Sequence, residues 1–181
     1  MHPRLDARTE LASLMVSTLA EAIALRDSVG AGSDYQAALV IGERIKSRFK
    51  RVSDFATLSP GEQLFHELFF GLEGEVENGG LHQYLSNSSG DDAERARGHL
   101  ATIGAMHTLA ALDRVRVCFQ GGPFPKVRKE RIDALRIAEE ELDDFDELFE
   151  RADDAYARAA PDLHRRLMDY VESHQAEFAL P

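Results

Sequence analysis

The sequence predicts an all-α fold, a single-domain bundle of about seven or eight helices, on three observations. Apolar residues recur at three- and four-residue steps along most of the chain. No stretch alternates apolar and polar residues long enough to read as a strand. Paired glycines and prolines fall between the periodic segments, where helices must stop. With 181 residues, 44% apolar and 29% charged, the chain can bury one substantial core and is not globally disordered. One helical domain over residues 1–181 is expected, its most distinctive part at about 60–150.

The first helix is expected over about residues 9–29, stopped by Gly30-Ala31-Gly32. Residues 11–25 are apolar enough to imitate a signal peptide, and Ala20-Glu21-Ala22 imitates a cleavage site. Asp6 and Glu10 offset Arg4 and Arg8, however, so the positive leading region is missing. No apolar run reaches the roughly 18 residues of a membrane span, so a cytoplasmic protein without membrane contact is expected. A second helix begins near Asp34 and carries Ala38, Ile41, Ile45, Phe49 and Val52 on one stripe. Ser59-Pro60-Gly61-Glu62 is a strong start signal: serine caps, proline suits the first helical position, and glutamate completes a capping box. The helix it opens shows Leu64, Phe65, Leu68, Phe69, Leu72 and Val76, a stripe wide enough for a central, buried helix.

Gly79 and Gly80 end that run, and Leu81, Tyr84 and Leu85 form a short amphipathic turn before a polar loop at residues 86–90. Asp91 or Asp92 is expected to cap a helix to about residue 119, broken near Gly104. Residues 120–125, Gln-Gly-Gly-Pro-Phe-Pro, form the clearest loop. Helices are then expected over about 127–150 and 161–177.

The charge is uneven. Residues 139–154 hold ten acids: Glu139, Glu140, Glu141, Asp143, Asp144, Asp146, Glu147, Glu150, Asp153 and Asp154. Arg151 is the only base there, so 16 residues hold −9 of the total −11. Leu142, Phe145, Phe149 and Ala152 recur at helical steps within the run, which argues for a packed helix and against an acidic tail. Laid on one straight helix, the acids would fall about every 2.4 Å along roughly 24 Å, against about one charge per 1.7 Å of duplex DNA. A basic DNA-binding surface is therefore a candidate partner, and a merely solubilising face is the plain alternative.

Residues 75–91 read Glu-Val-Glu-Asn-Gly-Gly-Leu-His-Gln-Tyr-Leu-Ser-Asn-Ser-Ser-Gly-Asp. The glycines suit a tight helix–helix turn, and Asn78 and Asn87 suit caps and turns. The alternative is a small polar pocket where Glu75, Asn78, Gln83 and Asn87 converge. The segment resembles the signature of a bacterial family of small all-helical domains whose characterised member is a DNA mimic that binds a transcription factor. The resemblance is clearest over residues 64–90 and weaker through Ala105 to Arg131 and Leu142-Asp143-Asp144. It implies an all-helical fold, homodimerisation, and mimicry of DNA by surface carboxylates. Carboxylate placement is not part of the signature, so mimicry must rest on this chain's own acids.

Other chemistries are less well supplied. Glu62 with His66 and Glu73 with Glu77 lie four apart, and His82 is near in sequence. The doubled Glu-x-x-His units of a di-metal bundle are missing, and His99 and His107 lack a third ligand. Cys118, the only cysteine, sits between Val117 and Phe119 and reads as a buried thiol with no histidine partner. No phosphate-binding glycine loop occurs. No enzyme activity, cofactor or metal is expected. Two basic clusters, Arg44, Lys46, Arg48, Lys50, Arg51 and Lys126, Arg128, Lys129, Arg131, are opposed as a nucleic-acid site by the charge of −11. The expected partner is a basic protein, a DNA-binding regulator in particular, met by Asp143, Asp144, Asp146, Glu147 and Glu150. The alternatives are an inhibitor or immunity-type partner of a basic enzyme, and a ligand- or metal-binding domain centred on residues 75–91.

Overall fold

The computed structural model describes residues 19–28, 32–48 and 52–178. Residues 1–18, Phe49, Lys50 and Arg51 lie outside these, so the expectations for the start of the first helix, for Phe49 on the second helix's stripe and for those two basic residues fall outside the described structure. The helices are α1 (Leu19–Ser28), α2 (Ser33–Arg48), α3 (Pro60–His66), α4 (Gly74–Ser86), α5 (Ala93–Thr102), α6 (Met106–Arg114), α7 (Arg128–Glu141) and α8 (Phe145–Ser173). A π-helical turn over Glu67–Glu73 joins α3 to α4. The described residues therefore form seven helical rods with short 3₁₀ turns and no strand, and they pack as one all-α domain.

The central rod begins as its sequence dictates. The Ser59 hydroxyl accepts the Glu62 amide at 3.1 Å, and the Glu62 carboxylate accepts the Ser59 amide at 2.9 Å. Pro60 occupies the first turn. Leu64, Phe65, Leu68, Phe69 and Leu72 are all buried. The π turn was not expected; it contains Gly71 and is followed by Gly74, poor α-helix formers that weaken the regular ladder there. It carries two buried carboxylates, Glu67 and Glu73.

The spine of the molecule is α8, 29 residues and about 43 Å long. It packs against α2, α4, α6 and α7, burying Phe145, Phe149, Ala152, Tyr156, Ala159, Leu163, Leu167 and Val171. Arg26 ties α1 to α2 and α8 through Asp34 at 2.6 Å, Asp169 at 2.6 Å and Glu172 at 2.8 Å. Past α8, Phe178 is buried against Phe65. There the Ser59 hydroxyl donates to the Glu177 carbonyl at 2.6 Å, and the Gly61 amide donates to the Glu177 carboxylate at 2.6 Å.

Three expectations need correction. The helix expected over 127–150 is two helices, broken where Leu142 turns extended (φ −103°, ψ 114°). Pro161 does not start a helix but lies inside α8. Ala159, Leu163 and His164 are buried on either side of it, so packing of the stripe outweighs the proline's lost hydrogen bond. Neither Asp91 nor Asp92 caps α5 with its side chain. Asp91 instead binds Arg131, and Asp92 pairs with Arg95 at 2.9 Å. The expected break near Gly104 is present, with that residue at φ +71° between α5 and α6.

Candidate functional site

The acidic run wraps a corner. Glu139, Glu140 and Glu141 end α7, Asp143 and Asp144 form the turn, and the remaining five acids lie on the first turns of α8. Nine of the ten are exposed, while Asp153 is half-buried. The Leu142 break means the acids do not follow one straight 24 Å axis, and the linear spacing calculated for such a helix does not apply. They form a two-sided acidic ridge. The ridge is fastened by Phe145 and Phe149, which pack edge-on against the His82 ring with centroids 6.0 and 5.3 Å away. Leu142 is only partly buried.

Among the five acids expected to contact a partner, Asp144 and Glu147 share Arg151, at 2.8 and 3.5 Å. Asp143, Asp146 and Glu150 form no ion pair among the described residues. The same holds for Glu139 and Glu141, whereas Glu140 pairs with Arg136 at 2.6 Å. Asp146 and Glu147 also lie in the first turn of α8, where the helix dipole favours negative charge and lessens their mutual repulsion.

Asp153 does something different. Its carboxylate accepts the Leu81 amide at 2.8 Å, capping the part of α4 that restarts after the kink at Gly79 and Gly80. Gly80 has φ +76°, and a Cβ there would collide with the same carboxylate. Burial raises the Asp153 carboxyl above its ordinary value, against the pull of the Leu81 hydrogen bond.

Three of the four polar residues expected to converge in the signature do meet. The Glu75 carboxylate accepts Gln83 at 2.9 Å and Asn87 at 2.8 Å, and also Ser89 at 2.9 Å, a partner not expected from the sequence. Burial works against the Glu75 charge, but these three donors outweigh it and hold the carboxyl below its ordinary value. Asn78 stands apart: it is exposed and donates to the Gly74 carbonyl of its own helix at 2.7 Å.

Arg131 locks the loop from the other side. Placed by its sequence in a basic cluster, it is in fact fully buried. Its guanidinium donates to the carbonyls of Leu85, Asn87, Pro125 and Lys126 and to Asp91, at 2.7–3.0 Å. A Cβ on Gly90 would lie 2.7 Å from the Tyr84 carbonyl and 3.0 Å from Arg131 Nε, so the arginine and the glycine require each other. Arg131 falls three residues after the first residue of α7, at the core-facing end of that helix's buried stripe with Leu135 and Ala138. That spacing is the signal by which the sequence could have separated it from its exposed neighbours Arg128 and Lys129.

Several other titratable groups are engaged within the fold. Glu67 is held by Arg95 at 2.7 Å and His99 at 3.1 Å. Burial opposes its charge, but these partners hold its carboxyl below the ordinary value. Glu73 pairs with His164 deep in the core, and burial pushes its carboxyl up despite that partner. Glu62 binds Arg48, while His66 packs between Phe55 and Phe70. Lys46 lies over the Phe70 ring. Cys118 is buried, and burial pushes its thiol up to about 11. No helix among the described residues is long and apolar enough to cross a membrane.

A family model described as DMP19-like protein matches residues 56–174. Comparisons with curated proteins and with solved structures return no match. The matched span takes in the central rod, the loop locked by Glu75 and Arg131, and the whole acidic corner. The chain belongs to the DMP19-like protein family.

Proposed function

We propose that this domain binds a basic protein through its acidic corner and, as a DNA mimic, occupies the DNA-binding surface of a regulator. The observation that carries this reading is the exposure of nine acids on a rigidly packed corner, with Asp143, Asp146 and Glu150 lacking any ion pair among the described residues. A ridge fixed from beneath by Phe145 and Phe149 presents its charges without first being ordered, which lowers the entropy cost of binding. Repulsion among the carboxylates is relieved when a cationic surface arrives, so binding gains from charges that cost the free protein stability. Membership of the DMP19-like family and the resemblance to a DNA-mimic family both favour this reading. An inhibitor of a basic enzyme would use the same ridge.

The ligand reading of residues 75–91 has less to support it. Glu75, Gln83, Asn87 and Ser89 are hydrogen-bonded to one another, and Asn78 to its own helix.

The test is capture of partners on the immobilised full chain, followed by competition with duplex DNA. A captured DNA-binding protein that duplex DNA displaces supports the proposal. Partners that remain bound at saturating DNA contradict it.

A further inference from the structure

Beside the acidic corner lies an apolar groove of about 250 Å³. It runs between the 3₁₀ turn Val115–Phe119, the loop at 120–125 and α7. Val117 and Ile137, from separate elements, both line it and are 50% and 45% exposed. Phe119, Pro123, Ala134 and Glu141 also line it. Isolated surface aliphatics need no explanation, but two converging on one groove mark a contact site. On α7, Ala134, Ile137 and Glu141 succeed one another at steps of three and four, so apolar floor and terminal carboxylate share one helix face. Beyond Glu141 come Leu142 and exposed Asp143, which, like Glu141, has no ion pair among the described residues.

We infer that this groove anchors a basic amphipathic segment of the partner, a large aliphatic side chain seated between Val117 and Ile137 with a lysine or arginine one helical turn away on Glu141 and Asp143. The charge pattern selects this occupant. A wholly apolar segment would desolvate Glu141 without a counter-charge, and an acidic one would meet Glu141 and the adjacent Asp143. The inference rests on the reading of the corner as a basic-protein site and adds an element that phosphate-like charge lacks. Carboxylates alone confer salt-sensitive, weakly selective attraction. An apolar anchor supplies affinity that salt does not screen, and selects among basic partners those with the right flanking residue.

Two labelled 14-residue helical peptides test this on the full chain, by anisotropy at about 0.15 M salt, where charges beyond about 8 Å are screened. Both carry leucines at positions i, i+3 and i+7; one is flanked by lysines, the other by glutamates. The lysine peptide is expected to bind at least about tenfold more tightly, a difference of about 1.4 kcal/mol. Ile137→Asn and Val117→Asn, both at exposed positions, should each weaken it about fivefold or more with the melting temperature unchanged, and Glu141→Gln should weaken it too. Equal binding of the two peptides, no binding, or indifference to all three substitutions would overturn the inference. So would a wild-type chain that sediments as a dimer and becomes a monomer on Ile137→Asn, since the groove would then belong to a second copy. Glu141 is not among the five corner acids proposed to meet the regulator. Loss of the corner reading therefore appears as indifference to Asp144, Asp146, Glu147 and Glu150, which the groove does not use, and loss of the groove reading as indifference to Ile137, Val117 and Glu141.

Discussion

Asp153 caps Leu81, with its carboxylate 2.8 Å from that backbone amide, and through this one bond the end of the acidic run holds the glycine kink of the signature in place. The two most distinctive segments of the sequence are thus parts of one structure. A member of an apparently uniform charge run is a structural residue, and its neighbours are left free to face outward.

Asp153→Ala should cost about 0.5–2 kcal/mol, the usual cost of a lost helix cap. Asp153→Asn, which keeps an acceptor oxygen, should cost much less. Thermal unfolding of the two variants checks this, and neither should weaken partner binding as the corner substitutions do. Equal melting temperatures for wild type and both variants would count against the cap.

Phe149→Ala should destabilise the protein by about 3–5 kcal/mol, as for other buried Phe truncations. Phe149 is 6% exposed and packs against Phe145 and His82. Denaturant unfolding measures the loss, and a change below about 1 kcal/mol would show that the corner is not anchored by this ring.

Arg131→Lys should be strongly destabilising, by about 3 kcal/mol or more, because three donors on a flexible ammonium cannot replace a planar guanidinium bound to five acceptors. Gly90→Ala should destabilise in the same direction, since its Cβ meets the Tyr84 carbonyl at 2.7 Å. Equilibrium unfolding of the single variants decides both.

Acid should loosen the signature loop before the rest of the core. Glu75 and Glu67 are carboxyls whose folded values lie below the ordinary one. Their contribution is therefore fully present above the unfolded value, about 4.3, and is lost as pH falls through the folded value. Protection of the amides at residues 86–90, taken relative to the intrinsic exchange rate at each pH, should fall below about pH 4 in wild type. In Glu75→Gln the loop should already be looser at neutral pH, with little further change on acidification through Glu75. Identical exchange profiles for the two proteins would contradict the Glu75 lock.

Local chemistry explains which features were readable in advance. The capping box at Ser59 and Glu62, the kink at Gly79 and Gly80 and the buried stripe of Phe145, Phe149 and Ala152 at the start of α8 each follow from spacings within a few residues. The break at Leu142 left no such mark, because Leu142, Phe145 and Phe149 keep a helical rhythm across it and no glycine or proline announces it. Pro161 misleads in the opposite sense, as a helix breaker overruled by burial of Ala159 and Leu163. Arg131, Asp153 and the Glu73–His164 pair depend on partners 40 or more residues away in sequence. Side-chain type alone could not show that these charges are internal.

The role of the exposed acids is tested most directly by the dissociation constant of the complex with a captured DNA-binding regulator, followed against salt. The comparison is between wild type and the chain carrying Asp143→Asn, Asp144→Asn, Asp146→Asn, Glu147→Gln and Glu150→Gln, which removes five charges and keeps the shape. Wild-type affinity should fall steeply with salt, because attraction beyond about 10 Å is screened at 0.1 M. The amide variant should bind at least tenfold more weakly (about 1.4 kcal/mol), respond less to salt, and melt at the same or a higher temperature as like-charge repulsion is relieved. A complex indifferent to both the five substitutions and added salt would contradict the account.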